Sequence, residues 1–206
     1  MSRKKHNQNL NNVVSYFNSQ ASGYQNKSQG KLWRIFRRRE LESCIKLLEP
    51  KPGEKILDAG CGAGFYSREL SKLGVKVWAI DASSEMVAQV KKIDVENVMQ
   101  GDITEIQIPE IFDKILCAGV LEFNPAPGKV ISNLAKHLKI GGRLVLLVPK
   151  KSFMGIGYKL FHKFHHLKIH LFTEKEINDY CHSTGLGFVE MLQPGFSMVM
   201  RYDKIK

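Results

Sequence analysis

Three features of the 206-residue chain predict an α/β fold. From Lys55 onward short apolar stretches alternate with helical ones, and a glycine-rich turn sits where the first such stretch passes into the first such helix. The chain then closes on two extended stretches joined through Pro194-Gly195. Alternation of this kind demands a mostly parallel sheet, because parallel neighbours need a crossover, usually helical and right-handed. Hydrophobic residues at 43% and charged residues at 25% suit a folding chain with an ample core, which excludes wholesale disorder. The length suits one domain with a short extension.

The elements follow in order. Leu10, Val13, Val14 and Phe17 keep the i, i+3, i+4, i+7 spacing of a helix face. A second helix is expected over Lys31–Glu49, with Leu41, Cys44, Ile45 and Leu48 on one face and Pro50-Lys51-Pro52-Gly53 as its stop. Residues 1–51 therefore read as an N-terminal helical cap and 52–206 as the main domain. Within it, strands are expected over Lys55–Ala59, Val75–Ile80, Asn97–Gln100, Phe112–Ala118 and Arg143–Val148. Helices are expected over Phe65–Leu73, Ser84–Ile93 and Pro127–Leu138. A basic amphipathic insertion occupies 150–172. A helix over Thr173–Ser183, capped by Thr173 with Glu176 three residues on, leads to a hairpin of Leu186–Leu192 and Met198–Tyr202.

Net charge is +11 and unevenly placed. Residues 1–51 hold eleven Lys/Arg against three Glu, and residues 150–170 hold five Lys against no acid, so two segments carry more than the whole excess. Such surfaces face lipid headgroups, nucleic acid or an acidic small molecule. The longest aliphatic run, Leu144–Val148, is far below the roughly 20 residues of a membrane-spanning helix. Polar Asn and Gln follow the basic N-terminus where a signal peptide would be apolar, so a cytoplasmic protein is expected. Cys44, Cys61, Cys117 and Cys181 are too scattered for a disulfide framework or a zinc ribbon.

The sharpest signal is Asp58-Ala59-Gly60-Cys61-Gly62-Ala63-Gly64-Phe65, a G-x-G-x-G turn between strand and helix. Glycines there let a ligand approach the backbone, and the helix N–H groups face it. A dinucleotide site would want a small residue where Phe65 stands. Asp58 beside the turn repels phosphate and attracts a cation. Asp81, at the end of the second strand, can accept hydrogen bonds from both hydroxyls of a ribose. Asp102, at the end of the third, adds another acid to the same edge. The three acids describe a pocket for a nucleoside that carries a cationic group.

The segment 55–149 resembles the class I S-adenosylmethionine-dependent methyltransferases of the quinone, lipid and small-molecule type. The matching blocks are D-A-G-C-G-A-G at 58–64, A-I-D-A-S at 79–83, G-D-I at 101–103, F-D-K-I-L-C-A-G-V-L-E-F at 112–123 and L-K-I-G-G-R-L-V-L-L-V-P at 138–149. The resemblance implies a Rossmann-like sheet of seven strands, mostly parallel, in the order 3-2-1-4-5-7-6, with helices on both faces. It implies S-adenosyl-L-methionine as cofactor, with Gly60, Gly62 and Gly64 packed under its methionine portion and Asp58 close by. Asp81, with Ala82 next to it, would take the ribose hydroxyls. Asp102 would take the adenine amino group with Ile103 beside it, and Cys117 would lie near the sulfonium. Tyr16-Phe17-Asn18 and Tyr24 resemble an opening segment that folds over the cofactor. Glu122, just after the fourth strand, is the candidate catalytic base for a hydroxyl acceptor.

For the acceptor, the chain lacks the N-P-P-aromatic turn of nucleic-acid amino methyltransferases and reads Leu121-Glu122-Phe123-Asn124-Pro125-Ala126-Pro127 instead. Nucleic acid is therefore the weaker expectation. Wound as one helix at 100° per residue, Ile156, Leu160, Phe164, Leu167 and Leu171 share an arc beside Lys159, Lys163, His166 and His170. A helix of that kind either lies on an anionic membrane, at the inner face, or forms a lid over the active site. His162, His166 and His170 fall four residues apart, but crowding lysines and the lack of an orienting acid argue against a metal. The expected activity is methyl transfer to a small, apolar acceptor such as a lipid or a quinone-pathway intermediate. An RNA or protein methyltransferase, or a catalytically idle cofactor-binding scaffold, are the competing readings.

Overall fold

The computed structural model describes residues 3–20, 31–164 and 167–206. Its seven strands are β1 Lys55–Ala59, β2 Lys76–Asp81, β3 Asn97–Gln100, β4 Phe112–Ala118, β5 Leu138–Pro149, β6 Leu186–Leu192 and β7 Ser197–Lys204. They form one sheet in the order β3-β2-β1-β4-β5-β7-β6, parallel except for β7, which runs antiparallel to both its neighbours. This is the order the resemblance implied. From β1 the chain goes outward to β2 and β3, then returns to place β4 on the other side of β1. A crevice opens at such a reversal, outside the carboxyl ends of the strands. Register puts Asp58 beside Ala79 and Leu116, and Asp81 beside Gln100, so both acids stand at that edge.

Alternation along the strands divides the core between the two faces. Leu57, Ile80, Ile115, Cys117, Leu144, Leu146, Met198 and Met200 pack with Val130, Ile131 and Leu134 of the helix Pro127–Lys136 and with Ile177 and Cys181 of the helix Glu174–His182. On the opposite face, Ile56, Val77, Leu116, Val145, Leu147 and Val199 pack with Cys44, Leu47 and Leu48 of the helix Lys31–Leu48 and with Leu70 of Phe65–Ser71. Val90 of Ser84–Val90 covers Ala79. Taken in chain order, Arg3–Gln20 is α1, Lys31–Leu48 α2, Phe65–Ser71 α3, Ser84–Val90 α4, Pro127–Lys136 α5, Phe153–Phe164 α6 and Glu174–His182 α7. The foot of α2 is fixed to the sheet, because Arg143 Nη1 donates to the carbonyls of Leu47 (2.9 Å) and Leu48 (3.0 Å). The capping box of α7 forms as expected: Thr173 Oγ1 accepts from Glu176 N, and the Glu176 carboxylate accepts from Thr173 N at 2.8 Å.

The structure corrects the basic insertion. Helix α6 stops at Phe164, and residues 167–172 run extended. Leu167, Ile169 and Leu171 are buried while Lys168 and His170 between them are exposed, so the segment follows the period-two pattern of a half-buried strand. Leu167 and Leu171 therefore belong to the body of the domain, not to an apolar stripe shared with Ile156 and Leu160. His170 accordingly lies outside the helix and cannot continue a series of histidines along its face. His166 and Tyr24 fall outside the described residues.

Candidate functional site

The glycine turn hangs from the end of β2, since the N–H groups of Gly60 (2.7 Å) and Cys61 (2.9 Å) both donate to the Ile80 carbonyl. Gly60, Gly62 and Gly64 all take positive φ, at +77°, +52° and +80°. Their spatial reasons differ. A Cβ on Gly60 would strike Val120, and one on Gly64 would strike Ile93 and Val90, so these two allow close packing. At Gly62 a Cβ would meet nothing within 4 Å. Gly62 is thus the glycine that faces open space, where a ligand can lie against the backbone.

Two carboxyls underlie the turn. Asp58 is 1% exposed, and its Oδ2 accepts from Ser67 Oγ of α3 at 2.6 Å. Burial pushes it up to about 7, an effect that Ser67 counters and the nearby Asp81 reinforces. Asp81 accepts from Gly62 N (2.8 Å) through Oδ2 and from Ser83 N (2.9 Å) through Oδ1. Burial raises it as well, against those backbone donors. The Ser83 hydroxyl caps α4 by accepting from Met86 N, and donates its own proton to Asn18 Oδ1 of α1 at 2.5 Å. Beside this bond, Phe17 packs on Ala63 and Met86 and meets Phe123 edge-on, with ring centroids 5.3 Å apart.

A second pair of carboxyls lies beyond the tip of β4. Glu122, in the 3₁₀ turn Leu121–Phe123, is 3% exposed, and its Oε2 has no hydrogen-bond partner. Burial pushes Glu122 up to about 8, and Glu40 of α2 adds to the rise. Glu40 is bound in turn by Ser197 Oγ of β7 at 2.6 Å. The backbone of the extended segment closes the far side, with His170 N donating to the Glu122 carbonyl at 2.8 Å. Between the two pairs stands Cys117, fully buried, its thiol pushed up by burial and by the carboxyls of Glu122 and Asp58.

Residues 57–146 match the family described as "Methyltransferase domain". The chain carries a methyltransferase domain of the class I fold. Among the curated relatives, the mitochondrial ubiquinone biosynthesis O-methyltransferase of Schizosaccharomyces pombe is 30% identical over 155 residues, 69% of this chain and 57% of that protein. The ubiquinone biosynthesis O-methyltransferase of Xanthomonas axonopodis pv. citri is 34% identical over 113 residues, 52% of this chain and 47% of that protein. The chain thus spans about half the length of the curated relatives it matches. In fold it is similar to the magnesium protoporphyrin IX methyltransferase of Synechocystis with bound SAH, with a TM-score of 0.75 and 20% identity over 95% of this chain and 99% of that one. It is also similar to the 1,6-didemethyltoxoflavin-N1-methyltransferase of Burkholderia thailandensis, at TM-score 0.74 and 17% identity over 98% of this chain and 91% of that one.

Within the methyltransferase domain, the residues singled out from sequence fall into two groups. Asp58, Gly60, Gly62, Gly64, Asp81 and Ala82 converge at the turn, and Cys117 lies beneath it in the core. Asp102 and Ile103 sit one strand further out. There Asp102 Oδ1 accepts from Thr104 N at 2.9 Å, and the carbonyl of buried Ile103 accepts from Asn133 Nδ2 at 3.2 Å. The donor set fits S-adenosyl-L-methionine. Asp58, Asp81 and Glu122 form no ion pair with Lys or Arg among the described residues, and Glu122 Oε2 is orphaned, so the cleft has carboxyls that can ionise opposite a cation. Sequence reading missed Glu40. Its signal was spacing: Glu40, Cys44 and Leu47 follow i, i+4, i+7, which places the acid on the buried face of α2.

Proposed function

We propose that the chain is an S-adenosyl-L-methionine-dependent methyltransferase whose acceptor is a small apolar molecule bearing a hydroxyl, of the lipid or quinone-intermediate type. The observation that carries this reading is a set of carboxyls, Asp58 and Glu122 buried and Asp81 half-buried, around a glycine turn with no basic side chain paired to them among the described residues. When bound, the cofactor supplies an activated methyl group on a sulfonium. Gly62 offers backbone for its methionine end, Asp81 still has lone pairs free for ribose hydroxyls, and Asp102 with Ile103 borders the adenine side. Glu122 faces the acceptor and receives its hydroxyl proton. Phe17 and Phe123 keep water from the reacting atoms, and alignment of acceptor with methyl group supplies several kcal/mol, on the order of 7–11 at most. Relatives that serve ubiquinone biosynthesis and a structural neighbour that methylates a magnesium porphyrin support a small-molecule acceptor.

Entry of such an acceptor from a membrane is supported by α6. Ile156 and Leu160, one turn apart, are each 50% exposed, and Lys159 and Lys163 beside them are exposed as well. Apolar side chains flanked by lysines suit the surface of an anionic bilayer. No helix among the described residues is long and apolar enough to cross one.

Calorimetry with S-adenosyl-L-methionine, followed by transfer of labelled methyl to polyprenylated phenols in acidic vesicles, tests the proposal. Saturable binding and incorporation into the phenol are expected; no heat and no thermal shift at millimolar cofactor would refute it. Reversing Lys159 and Lys163 to Glu should weaken flotation with acidic vesicles by about 1 kcal/mol or more per residue. Undiminished flotation would remove the membrane component. Methyl incorporation into RNA in place of the phenol would overturn the acceptor class.

A further inference from the structure

Glu122 is a buried carboxyl whose neighbours leave it short of positive charge. From α2 it faces Glu40, and from β4 the Cys117 thiol. The extended segment offers it only a backbone contact: the His170 imidazole turns to Glu176 instead, at 3.3 Å. Among the described residues, Arg37 lies over the Phe65 ring at 4.1 Å and lowers Glu40. One oxygen of Glu122, Oε2, has no hydrogen-bond partner among the described residues. Ionising such a group inside a protein is costly unless a cation arrives with it.

We propose that Glu122 is a charge-coupled base: it holds a proton while the cleft contains no cation, gives that proton up when the sulfonium cofactor binds, and so becomes a base only in the loaded enzyme. The proposal rests on the cofactor reading above and goes beyond it by tying the state of the base to the charge of the ligand. The balance closes through the reaction. As the acceptor oxygen forms its bond to the methyl group, the sulfur–methyl bond breaks, its electron pair stays on sulfur, and the hydroxyl proton passes to the Glu122 carboxylate. Carboxylate and sulfonium enter as an ion pair; carboxylic acid and neutral thioether remain. Glu122 therefore favours the cationic substrate form of the cofactor over the neutral product form, and the preference grows with pH. Glu40, held by Ser197, acts as a positioning residue that keeps Glu122 protonated in the free protein.

Titration calorimetry on the full chain tests this with two ligands, S-adenosyl-L-methionine and S-adenosyl-L-homocysteine, from pH 6.5 to 8.5 and in two buffers of different ionisation enthalpy. The amino-acid ends common to both ligands cancel in the ratio of their Kd values. That ratio should shift toward the sulfonium ligand by up to about tenfold per pH unit below the Glu122 midpoint, with proton release seen only for that ligand. Glu122→Gln should flatten the ratio and abolish the extra release. Should that variant fail to fold, Glu40→Gln carries the test, because loss of its charge must reduce the proton release of the wild type at pH 7.5. A flat wild-type ratio, or an unaltered ratio in Glu122→Gln, overturns the proposal while leaving the cofactor reading intact. Absence of binding by both ligands overturns the cofactor reading itself.

Discussion

The two ends of the crevice satisfy their buried and half-buried acids in different ways. At the glycine turn, Asp58 and Asp81 receive donors from Ser67, Gly62 and Ser83, all within 19 residues of their partners. Past β4, Glu40 is met by a serine 157 residues away, and Glu122 keeps an oxygen with no partner. The first region is thus built before a ligand arrives, whereas the second is left electrostatically incomplete. A prearranged cofactor floor beside an acceptor wall that still lacks a cation is the arrangement of a site in which binding of one ligand prepares the group that acts on the other.

The largest effect that tests this contrast is in stability against pH. Asp58 stands at about 7 and Glu122 at about 8, from ordinary values of 3.8 and 4.5, both because burial disfavours the charged form. Raised acids hold protons in the folded state that the unfolded chain has released. Their contribution is therefore complete below about pH 4 and is lost as pH climbs through 7 and 8. Each group costs on the order of 1.4 kcal/mol per pH unit across its interval. Thermal melts of the free protein should fall from pH 5 to pH 9, and S-adenosyl-L-methionine should restore most of the loss. A flat profile would mean that the acids are screened and the contrast is unreal.

Next in size is Asp81→Ala. The change removes the acceptor for two backbone donors as well as for ribose hydroxyls, and should weaken the cofactor's Kd by about 10- to 100-fold, roughly 1.5–3 kcal/mol. Calorimetry with unchanged affinity would remove Asp81 from the site. Ser197→Ala is expected to be smaller and on the other side of the divide. Glu40 would lose its donor at a cost of about 1–2 kcal/mol, read as a higher acceptor KM, with the cofactor's Kd moving only as far as the proton release of Glu122 moves. A shift in cofactor Kd with both acceptor KM and proton release constant would place Glu40 in the wrong region.

Locality also decides what could be read from the amino-acid order. Asp58, the three glycines and Asp81 lie within one β–α–β unit, so spacing alone set them at one strand edge, and the sheet order followed from the resemblance of five blocks. The same reading could not tell that Gly60 and Gly64 serve packing against Val120, Ile93 and Val90 while Gly62 faces the cleft, since that depends on distant side chains. It wound 156–172 as one helix because Leu167 and Leu171 fit a period of 3.6 as well as a period of two. Burial of Ile169 between exposed Lys168 and His170 chose the latter. Glu40 was hidden in the run Arg37-Arg38-Arg39-Glu40-Leu41-Glu42, where charge suggests a solvated face; only β7, more than 150 residues later, brings Ser197 to it.

The smallest expected effect probes the seam between the two regions. Helix α1 touches both: Asn18 accepts from Ser83, which is also bound to Asp81, whereas Phe17 meets Phe123, the residue after Glu122. Asn18→Ala removes a single neutral hydrogen bond, about 0.5–1.5 kcal/mol, and leaves Ser83 able to cap α4. Cofactor Kd should rise about 2- to 10-fold, with acceptor KM nearly constant. Phe17→Ala should raise both constants, because the ring packs on Ala63 and Met86 under the turn and on Phe123 beyond it. If the asparagine change moved both constants equally, α1 would hold the halves as one rigid unit. In that case the proton on Glu122 would answer to closure of the helix and not to the charge of the ligand beneath it.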